Sequence, residues 1–351
     1  MRSSIRKTLA VVVSLAVVLI PVSVNSASAA TKVKTKGIVI GFSNSFNGNT
    51  YRQAMEGYAK KAAKALTKTG EVKKIIFAEA NQDVNKQIQQ IQSFILQRVD
   101  VIIVDPGSAT ALTAVVQKAS DAGIPVVVVN DGPIKSNAKN VYQISFDAGG
   151  QMKFLTDYVV KVMKSKGNLI ELRGMEGDAF DAAAHEGVVN ALKAYPNVKL
   201  VASLYDDWTG SKAQAVLAAA LPNLIQQYGK IDGVVSQGGD AYAAVQAFQQ
   251  AGAELPVIGG DNRGFFLKWW ANDAPAGYDT VSVSANPWDG ATAVYVAVDI
   301  LSGKYKIPAN MIHPIGVITK ADVQKYKNVE DTVMATPTYN RAWVRTNLYK
   351  K

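Results

Sequence analysis

Apolar strand-like runs alternate with amphipathic helix-like segments in both halves of the chain, and this alternation constrains the fold more than any other feature of the sequence. In the first half, the pattern predicts strands at 38–42, 74–78, 101–105 and 125–130 and helices at 50–68, 84–97 and 109–122. In the second half, it predicts strands at 169–173, 199–204, 233–236 and 256–260 and helices at 179–194, 212–228 and 241–251. Strands that alternate with helices of this length form parallel βαβ units. We therefore predict an α/β fold with two similar doubly wound parallel-sheet lobes.

The two halves also share an internal repeat. Val99-Asp100 and Ile231-Asp232 each precede a predicted strand, a helix that ends in Ala-Gly, and a proline that opens the next strand. The spacing from the aspartate to the proline differs by one residue between the halves, and such a repeat indicates two units of similar structure. No Gly/Ser/Pro-rich linker separates the units, so we expect the chain to pass between the lobes more than once.

Domain boundaries follow from the elements beyond the repeat. The pattern predicts a strand at 280–285, a helix at 288–301, a strand at 314–319 and then an irregular tail. We assign residues 31–146 and 286–317 to an N-terminal lobe, and residues 147–285 and 318–351 to a C-terminal lobe. Because the strands of each lobe end towards the other lobe, we expect a cleft between them.

The first thirty residues are typical of a secretory signal peptide. An apolar run at 9–20 ends at a proline, and Ala27-Ser28-Ala29 offers the small residues of a cleavage site. The apolar run is too short to span a bilayer. We predict export, with cleavage near Ala29–Ala30. The run is preceded by the basic residues Arg2, Arg6 and Lys7.

The chain contains no cysteine, which excludes disulfides, thiolate metal sites, cysteine nucleophiles and the lipid-modified cysteine that tethers some exported proteins to a membrane. We therefore expect a soluble protein of a Gram-negative periplasm with no direct membrane insertion. The formal net charge is +10, but lysines such as Lys60, Lys64 and Lys68 recur at the spacing of a solvated helix face. No basic run is interleaved with aromatic residues, so we predict no nucleic-acid partner.

Residues suited to catalysis are few. The two histidines, His185 and His313, stand in unrelated contexts, so the sequence predicts neither a catalytic triad nor a metal cluster. It contains no nucleophile elbow, phosphate loop or dinucleotide-binding glycine pattern. Gly238-Gly239-Asp240 could bind an anion at a helix N-terminus or form a tight turn. Several carboxylates could be paired acids or helix caps, namely Asp178, Asp181, Asp206 and Asp207. We predict that the protein is not an enzyme and uses no cofactor or metal.

Polar and aromatic residues gather where the predicted strands end. In an open α/β sheet, ligands bind at the carboxyl ends of the strands, next to helix N-termini. Aromatic rings offer flat apolar faces, and amides, carboxylates and guanidinium groups offer paired hydrogen bonds, a combination that suits a polyhydroxylated ring or chain. The candidate ligand-binding residues are Asn44, Tyr51, Arg52, Asn130, Asp131, Trp208, Gln237, Asp261 and Asn286.

Each candidate also has a purely structural interpretation. Tyr51 could lie in the core and Arg52 in solvent, while Trp208 could fill a loop and Asp261 could cap the segment that follows it. The occurrence of these residues at matched positions of two lobes favours the binding interpretation.

Several segments together resemble one protein family by their order and spacing. They are Gly41-Phe42-Ser43 through Tyr51-Arg52, residues 99–106, Ala122-Gly123-Ile124-Pro125-Val126, Glu171-Leu172-Arg173-Gly174, Trp208 in its loop, and Ile258-Gly259-Gly260-Asp261. The chain resembles the type I periplasmic sugar-binding proteins of the ribose- and galactofuranose-binding kind, which are the substrate-binding receptors of ABC importers. The resemblance covers roughly residues 36–319.

The resemblance implies roles for individual residues. Tyr51 and Arg52 match an aromatic–arginine pair that stacks on the sugar and hydrogen-bonds to it. Trp208 matches an aromatic residue on the opposite face of the sugar, and Asp261 matches an aspartate that binds sugar hydroxyls.

The sequence departs from the family pattern at a few of the expected contacts. These positions are Asn130-Asp131 in place of Asp-Arg, Ala184 in place of arginine, Gly238 in place of asparagine, and Ala285 in place of glutamine, beside Asn286. The departures leave the identity of the ligand open.

The resemblance also implies a mechanism. The lobes close on the ligand by hinge bending at 145–147, 285–286 and 316–319, and the closed form docks on a membrane permease whose ATPase partner drives import. Two acids in the cleft, Asp131 and Asp261, against one arginine favour a neutral monosaccharide or polyol. We expect the protein to act as a monomer.

Three alternative functions share this fold. A sensor would present its ligand to a chemoreceptor or kinase through the same closed form, and a secreted carbohydrate-active enzyme would turn the ligand over. The ligand-sensing core of a transcription regulator is disfavoured by the signal peptide and by the lack of N-terminal DNA-binding helices.

Overall fold

The computed structural model describes residues 31–129 and 134–349. The predicted signal segment and the site candidates Asn130 and Asp131 lie outside these residues. In chain order, the strands are β1 (Ile38–Asn44), β2 (Val72–Glu79), β3 (Val101–Asp105), β4 (Val126–Val129), β5 (Val141–Ser145), β6 (Gly167–Arg173), β7 (Val198–Tyr205), β8 (Gly233–Ser236), β9 (Val257–Ile258), β10 (Ser282–Ser284), β11 (Asn310–Ile312) and β12 (Gly316–Ile318). The helices are α1 (Thr50–Lys68), α2 (Val84–Leu96), α3 (Thr113–Asp121), α4 (Ala148–Val162), α5 (Ala179–Leu192), α6 (Gly210–Tyr228), α7 (Ala241–Gln250), α8 (Gly264–Asn272), α9 (Asp289–Ser302) and α10 (Arg341–Asn347), with a short 3-10 helix at Val323–Tyr326.

The N-terminal lobe is built on a six-stranded sheet with the order β11-β5-β4-β3-β1-β2. All neighbouring strands in it are parallel. Side chains of a strand alternate between the faces of its sheet, so Ile40 and Phe42 of β1 pack against α1 and α9, and Val39 packs with α2 and α3. Because helices cover both faces, the central strands β3 and β4 are apolar except for Asp105 at the end of β3.

The C-terminal lobe repeats this arrangement on a smaller sheet. Four parallel strands have the order β7-β6-β8-β9. An antiparallel pair, β10 and β12, continues the sheet through a bridge between Gly260 and Ser282. Helices α4 and α5 cover one face, and α6, α7 and α8 cover the other. The predicted α/β fold with two similar parallel-sheet lobes is confirmed.

The sequence pattern does not predict β5, α4, α8 or β11. The first turn of helix α4 contains Gly149 and Gly150, and glycine disfavours helix formation. Asp147 nevertheless caps this helix by accepting a hydrogen bond from the Gly150 amide at 2.8 Å. A Cβ atom on Gly187 of α5 would overlap the carbonyl oxygen of Gly149. The glycines that weaken the helix signal therefore allow α4 and α5 to pack backbone against backbone.

The predicted irregular tail is wrong in one respect, because α10 is a helix that packs on the N-terminal lobe. Val344 and Leu348 join the core formed by α1 and α9. Buried Asp299 of α9 accepts hydrogen bonds from Arg341, Arg345 and Tyr349 at 2.6–3.0 Å. This placement corrects the prediction that the whole of 318–351 belongs to the C-terminal lobe.

The tail reaches the N-terminal lobe through a segment that the sequence did not indicate as a lobe crossing. The Ala335 amide donates to the carbonyl of Asn262 in the C-terminal lobe at 2.9 Å. Four residues later, the carbonyl of Tyr339 accepts a hydrogen bond from the indole of Trp288, just before α9, at 2.5 Å. Residues 335–339 thus join the lobes in addition to the segments near 145–147, 285–288 and 312–316.

Within residues 31–129 and 134–349, no helix combines the length and apolarity needed to cross a membrane. The same residues contain no group of three or more His, Cys, Asp or Glu side chains placed to hold a metal ion.

Candidate functional site

A cavity of about 540 Å³ lies where the carboxyl ends of both sheets meet. Its volume falls in the range of small-molecule sites. Each lobe contributes the loops that follow its strands, as expected for ligand sites in open α/β sheets. The N-terminal lobe supplies Ser45, Phe46, Asn49, Tyr51, Arg52, Gln82 and residues 106–109. The C-terminal lobe and its crossing segments supply Met175, Gly177, Asp178, Ala179, Phe180, Trp208, Gln237, Gly238, Gly239, Asp261, Arg263, Ser284, Ala285 and Met334.

The first turn of α1 forms the N-terminal wall. Asn49 caps this helix by accepting a hydrogen bond from the Arg52 amide at 2.9 Å, which fixes the direction of the side chains that follow. The Tyr51 hydroxyl donates to Asp289 at the start of α9 at 3.2 Å. The ring of Tyr51 both packs on the core and lines the cavity.

Arg52 is buried at the cavity wall and is not solvated. Its guanidinium group forms an ion pair with Asp105 at the end of β3, and the arginine side chain is only 9% exposed. The backbone carbonyl of Asp105 accepts from Gln87 at 2.7 Å, and Gln87 in turn accepts from the Gly107 amide at 2.8 Å. The positive charge at this wall is therefore balanced inside a fixed hydrogen-bond network.

Trp208 forms the aromatic part of the opposite wall. Its amide donates to Asp206 at 2.9 Å, and both Asp207 and Trp208 have a left-handed backbone with φ of 55°. The indole packs so closely on Gly174 that a Cβ atom there would overlap the ring. The ring of Phe180 packs edge-on against the indole, with 6.1 Å between the ring centroids. The indole Nε1 is buried without a hydrogen-bond partner among the described residues.

The loop after β9 places a carboxylate and a guanidinium group side by side. Asp261 is 2% exposed, and it accepts hydrogen bonds from the amides of Gly239 at 2.8 Å and Arg263 at 3.1 Å. Arg263 donates from Nη1 to the Gly239 carbonyl at 2.8 Å. Its Nε is buried and has no partner among the residues that the structure describes. The cavity thus holds a second arginine, which corrects the expectation of one.

Comparison with known proteins places the chain in a family. Residues 40–305 match the model of the family described as periplasmic binding protein domain. The chain belongs to the periplasmic binding protein family. It is 30% identical over 243 residues to the galactofuranose-binding protein YtfQ of Escherichia coli, a match that covers 67% of this chain and 73% of the relative. It is 33% identical over 192 residues to a xylitol-binding protein of Mycolicibacterium smegmatis, covering 53% of each protein.

A solved structure extends the likeness over most of the chain. The ABC transporter solute binding protein from Thermobispora bispora superposes with a TM-score of 0.76 at 30% identity, covering 89% of this chain and 94% of that protein. The predicted family and the type I periplasmic binding protein fold are confirmed. These relatives are binding proteins, in agreement with the prediction that this chain is not an enzyme.

Of the predicted site residues of this periplasmic binding protein, five line the cavity: Tyr51, Arg52, Trp208, Gln237 and Asp261. The amide of Gln237 holds two loops together, because it accepts from the Gly174 amide at 3.1 Å and donates to the Asp181 carbonyl at 3.2 Å. Gln237 therefore lies at the cavity wall, but its side-chain hydrogen bonds hold the fold together.

Asn44 and Asn286 do not line the cavity. Asn44 ends β1 in the interior and accepts from the Phe46 amide at 3.4 Å. Asn286 is fully buried and connects two crossing segments, since it donates to the Pro337 carbonyl at 2.9 Å, and it also accepts from the Trp288 amide of its own segment at 3.0 Å. The side chain of Asn286 is occupied by the fold, whereas the Nδ2 of Asn44 is buried without a partner among the described residues. For Asn130 and Asp131 the ligand-binding role stays a prediction.

Sequence reasoning missed several residues of the cavity wall. Phe46 and Asn49 belong to the loop that the prediction identified, but the sequence does not show which of its side chains turn inward. Phe180 follows Asp178, which caps α5 by accepting from the Phe180 amide at 2.7 Å. Met334 comes from the tail and pairs with Arg263 in an isolated bridge. No local pattern points to a residue brought in by such a distant contact.

Two buried carboxyl groups lie behind the Trp208 wall. Asp206 and Asp240 are 0% and 1% exposed, and they lie close enough for the charge of Asp240 to act on Asp206. Burial raises the pKa of both groups, and repulsion by Asp240 adds to the rise in the pKa of Asp206. Two acids in contact in a dry site cannot both ionise at ordinary cost.

Proposed function

We propose that this protein is the solute receptor of an ABC importer, that it binds a neutral monosaccharide or polyol in the interlobe cavity, and that it delivers the ligand to a permease from the periplasm. The observation that carries the proposal is the kind of side chains in the two cavity walls, of which each lobe contributes one. Each wall combines an aromatic ring with planar polar groups, namely Tyr51 and Arg52 on one side, and Trp208, Asp261 and Arg263 on the other. Such pairs serve the apolar faces and the hydroxyl edge of a sugar.

The charge balance of the cavity supports a neutral ligand. Arg52 is already paired with Asp105, and the charge of Arg263 is matched by the carboxylate of Asp261, which lines the same cavity. Asp178 is occupied as a helix cap. A sugar phosphate or sugar acid would therefore bring a charge for which the described cavity holds no surplus of cations.

Buried polar atoms without hydrogen-bond partners at the wall support a ligand with hydroxyl groups. The Trp208 indole, the Nε of Arg263 and the hydroxyl of Ser284 are buried without partners among the described residues, and all three side chains line the cavity. A buried polar group without a partner costs about 1–3 kcal/mol. A sugar hydroxyl can both donate and accept, so it can satisfy donors and the adjacent Asp261 together.

The position of the cavity between the lobes supports the proposal that the protein closes by hinge bending. A ligand that contacts both walls stabilises the closed form, because the contacts from both lobes exist together only in that form. The predicted segments at 145–147 and 285–286 remain proposed pivots, the crossing near 312–316 takes the place of the predicted 316–319 because Gly316–Ile318 forms β12, and 335–339 is a further crossing. We expect the closed monomer to be the form that docks on the permease.

A thermal-shift screen of Thr31–Lys351 tests this function. The panel contains D-ribose, L-arabinose, D-galactose, xylitol and myo-inositol, with ribose 5-phosphate and galacturonate as charged counterparts. A ligand of the native state raises the melting point by mass action, and we expect a rise with one or a few related neutral compounds. A rise with only the charged compounds, or with none of the panel, contradicts the proposal.

The variant Trp208→Ala locates the binding. It should lose the ligand-induced shift because it removes the aromatic face of the C-terminal wall. Phe265→Ala is the matched control, because Phe265 is an exposed aromatic that stacks on Tyr242 outside the cavity. A shift retained in the Trp208 variant would place the ligand elsewhere.

A further inference from the structure

Two turns of the C-terminal lobe support each other behind the cavity wall. The first follows β7 and carries Trp208, and the second follows β8 and carries Gly238 and Gly239. A Cβ atom on Gly239 would overlap the carbonyl oxygen of Trp208, so the two backbones are in direct contact. Both turns line the cavity. The arrangement of this wall therefore depends on what joins them.

Each turn has one buried carboxyl group, Asp206 in the first and Asp240 in the second. One oxygen of Asp206 accepts from the Trp208 amide at 2.9 Å, and one oxygen of Asp240 accepts from the Ser236 hydroxyl. The second oxygen of each carboxyl has no donor among the described residues. Because the two side chains interact with each other, each of these oxygens is available to the other carboxyl.

Two carboxylates have only acceptor oxygens, whereas a carboxylic acid can donate to a carboxylate. We propose that Asp206 and Asp240 share one proton in the folded protein, and that this proton holds the Trp208 turn and the Gly238–Asp240 turn together as the positioning pair of the cavity wall. The part that concerns ligand binding rests on the proposed function, and the proton itself does not.

The charges around the pair favour one negative charge and disfavour two. Asp207 of the same turn and Asp261 of the loop after β9 repel a second charge, and Arg263 attracts the first. Asp207 is itself paired with Lys212 at the start of α6, at 2.7 Å. Burial acts in the same direction, since it raises the pKa of both carboxyls and that of Asp206 to well above neutrality.

The shared proton makes stability depend on pH. In the unfolded chain both aspartates are ionised at neutral pH, because an unperturbed aspartate has a pKa of about 3.9. Folding at pH 7 to 9 then takes up one proton, so stability is greater at low pH and is lost as the pH rises. One proton changes the unfolding equilibrium constant by about tenfold per pH unit.

Denaturant unfolding at pH 7, 8 and 9, without ligand, tests the proton. Asp206→Asn replaces the acid by an amide that donates to Asp240 without a titrating proton. The ratio of the unfolding constants of wild type and variant should change by about tenfold per pH unit. The control Asp207→Asn makes the same charge change at the exposed neighbouring residue and should run parallel to wild type. Asp240→Asn is the alternative amide variant if Asp206→Asn does not fold.

Two outcomes would overturn the shared proton. Parallel pH profiles for wild type and both amide variants would mean that the pair takes up no proton on folding. A rise in the wild-type melting point on addition of calcium chloride, absent in the amide variants, would mean that a cation and not a proton joins the carboxyls.

Binding of the neutral compounds of the panel tests the positioning role. Asp206→Ala should weaken binding of the compound that shifts wild type by about tenfold or more, equivalent to one lost hydrogen bond at the wall, and Asp206→Asn should restore it. Equal affinity in the alanine variant would overturn the positioning role. If no compound of the panel raises the melting point of the wild type, the proposed function is contradicted. The unfolding experiment still tests the shared proton, because it is carried out without ligand.

Discussion

Arg263 brings a guanidinium group to the cavity without forming an ion pair among the described residues. Its Nη1 has the Gly239 carbonyl as partner, and its Nε is buried with none among those residues. Arginine presents a planar set of donors that can bind two oxygens at once. We infer that Arg263 contributes to ligand affinity more than to the stability of the lobe.

The substitution Arg263→Gln tests this inference. It should weaken binding of the neutral sugar or polyol by about thirtyfold, near 2 kcal/mol, because a charged hydrogen bond to the ligand is lost. The melting point without ligand should stay close to that of wild type. Arg98→Gln removes the same charge at an exposed loop and should leave affinity unchanged, and a matching loss of stability and affinity in the Arg263 variant would identify a structural residue.

Residues directly after a strand were predictable, and residues set by distant contacts were not. Tyr51, Trp208 and Asp261 lie close to strand ends, where the topology alone directs side chains to the cleft. Asn286 lies at a similar position, but a carbonyl 51 residues further along the chain occupies its amide. Nothing in the local sequence distinguishes these two situations.

At the scale of the elements, the packing of α4 against α5 depends on glycine. The Gly149 carbonyl lies against Gly187 with no room for a Cβ atom, and this contact fixes the helices on the C-terminal sheet next to the hinge segment at 145–147. Because protein interiors are closely packed, a side chain that pushed these two helices apart would also displace the residues around them.

Gly187→Ala should therefore destabilise the protein by about 1–3 kcal/mol, because the added methyl group overlaps backbone that cannot move away as a side chain could. Gly57→Ala is the matched control in α1, since a Cβ atom on Gly57 meets nothing within 4 Å. The control should stabilise the helix by about 0.5–1 kcal/mol. Denaturant unfolding of both variants measures the difference, and a neutral Gly187→Ala would show that the helices separate without cost.

Element prediction succeeded where burial alone decides the structure. The apolar β-branched runs of β3 and β4 are fully buried strands, as continuous runs in a parallel sheet should be. Helix α10 was missed because ion pairs hold it in place. Burial opposes ionisation of Asp299, but hydrogen bonds from Arg345 and Arg341 outweigh it and hold the pKa of Asp299 below its ordinary value. Short patterns in the sequence do not identify a partner so far away.

Across the whole molecule, the lobe crossings meet at His313. Its amide donates to the Ser145 carbonyl at 2.8 Å, and its ring lies 5.8 Å from Phe146 and 5.6 Å from Tyr339. Thr292 of α9 contacts Nε2 at 3.1 Å. Burial lowers the pKa of His313 to about 4, so the ring is neutral in the folded protein at neutral pH.

This pKa predicts acid sensitivity of the crossing region. Because the folded pKa lies below the unfolded value of about 6.5, the contribution of His313 is complete above pH 6.5 and is lost as the pH falls towards 4. The loss reaches about 3 kcal/mol, opposite in sign to the effect of the Asp206–Asp240 pair. His313→Gln should flatten the pH profile of unfolding between pH 6.5 and 4, and parallel profiles would contradict the prediction.

The position of α10 determines which pairs of fluorophore positions would detect closure of the lobes. The amide of Lys34, near the start of the described chain, donates to the Leu301 carbonyl in α9 at 2.8 Å, and α10 packs on the same helix. The two ends of the described chain therefore belong to one rigid lobe. Fluorophores attached there should keep their separation during the proposed closure, whereas a pair with one dye on α1 and the other on α6 should report it.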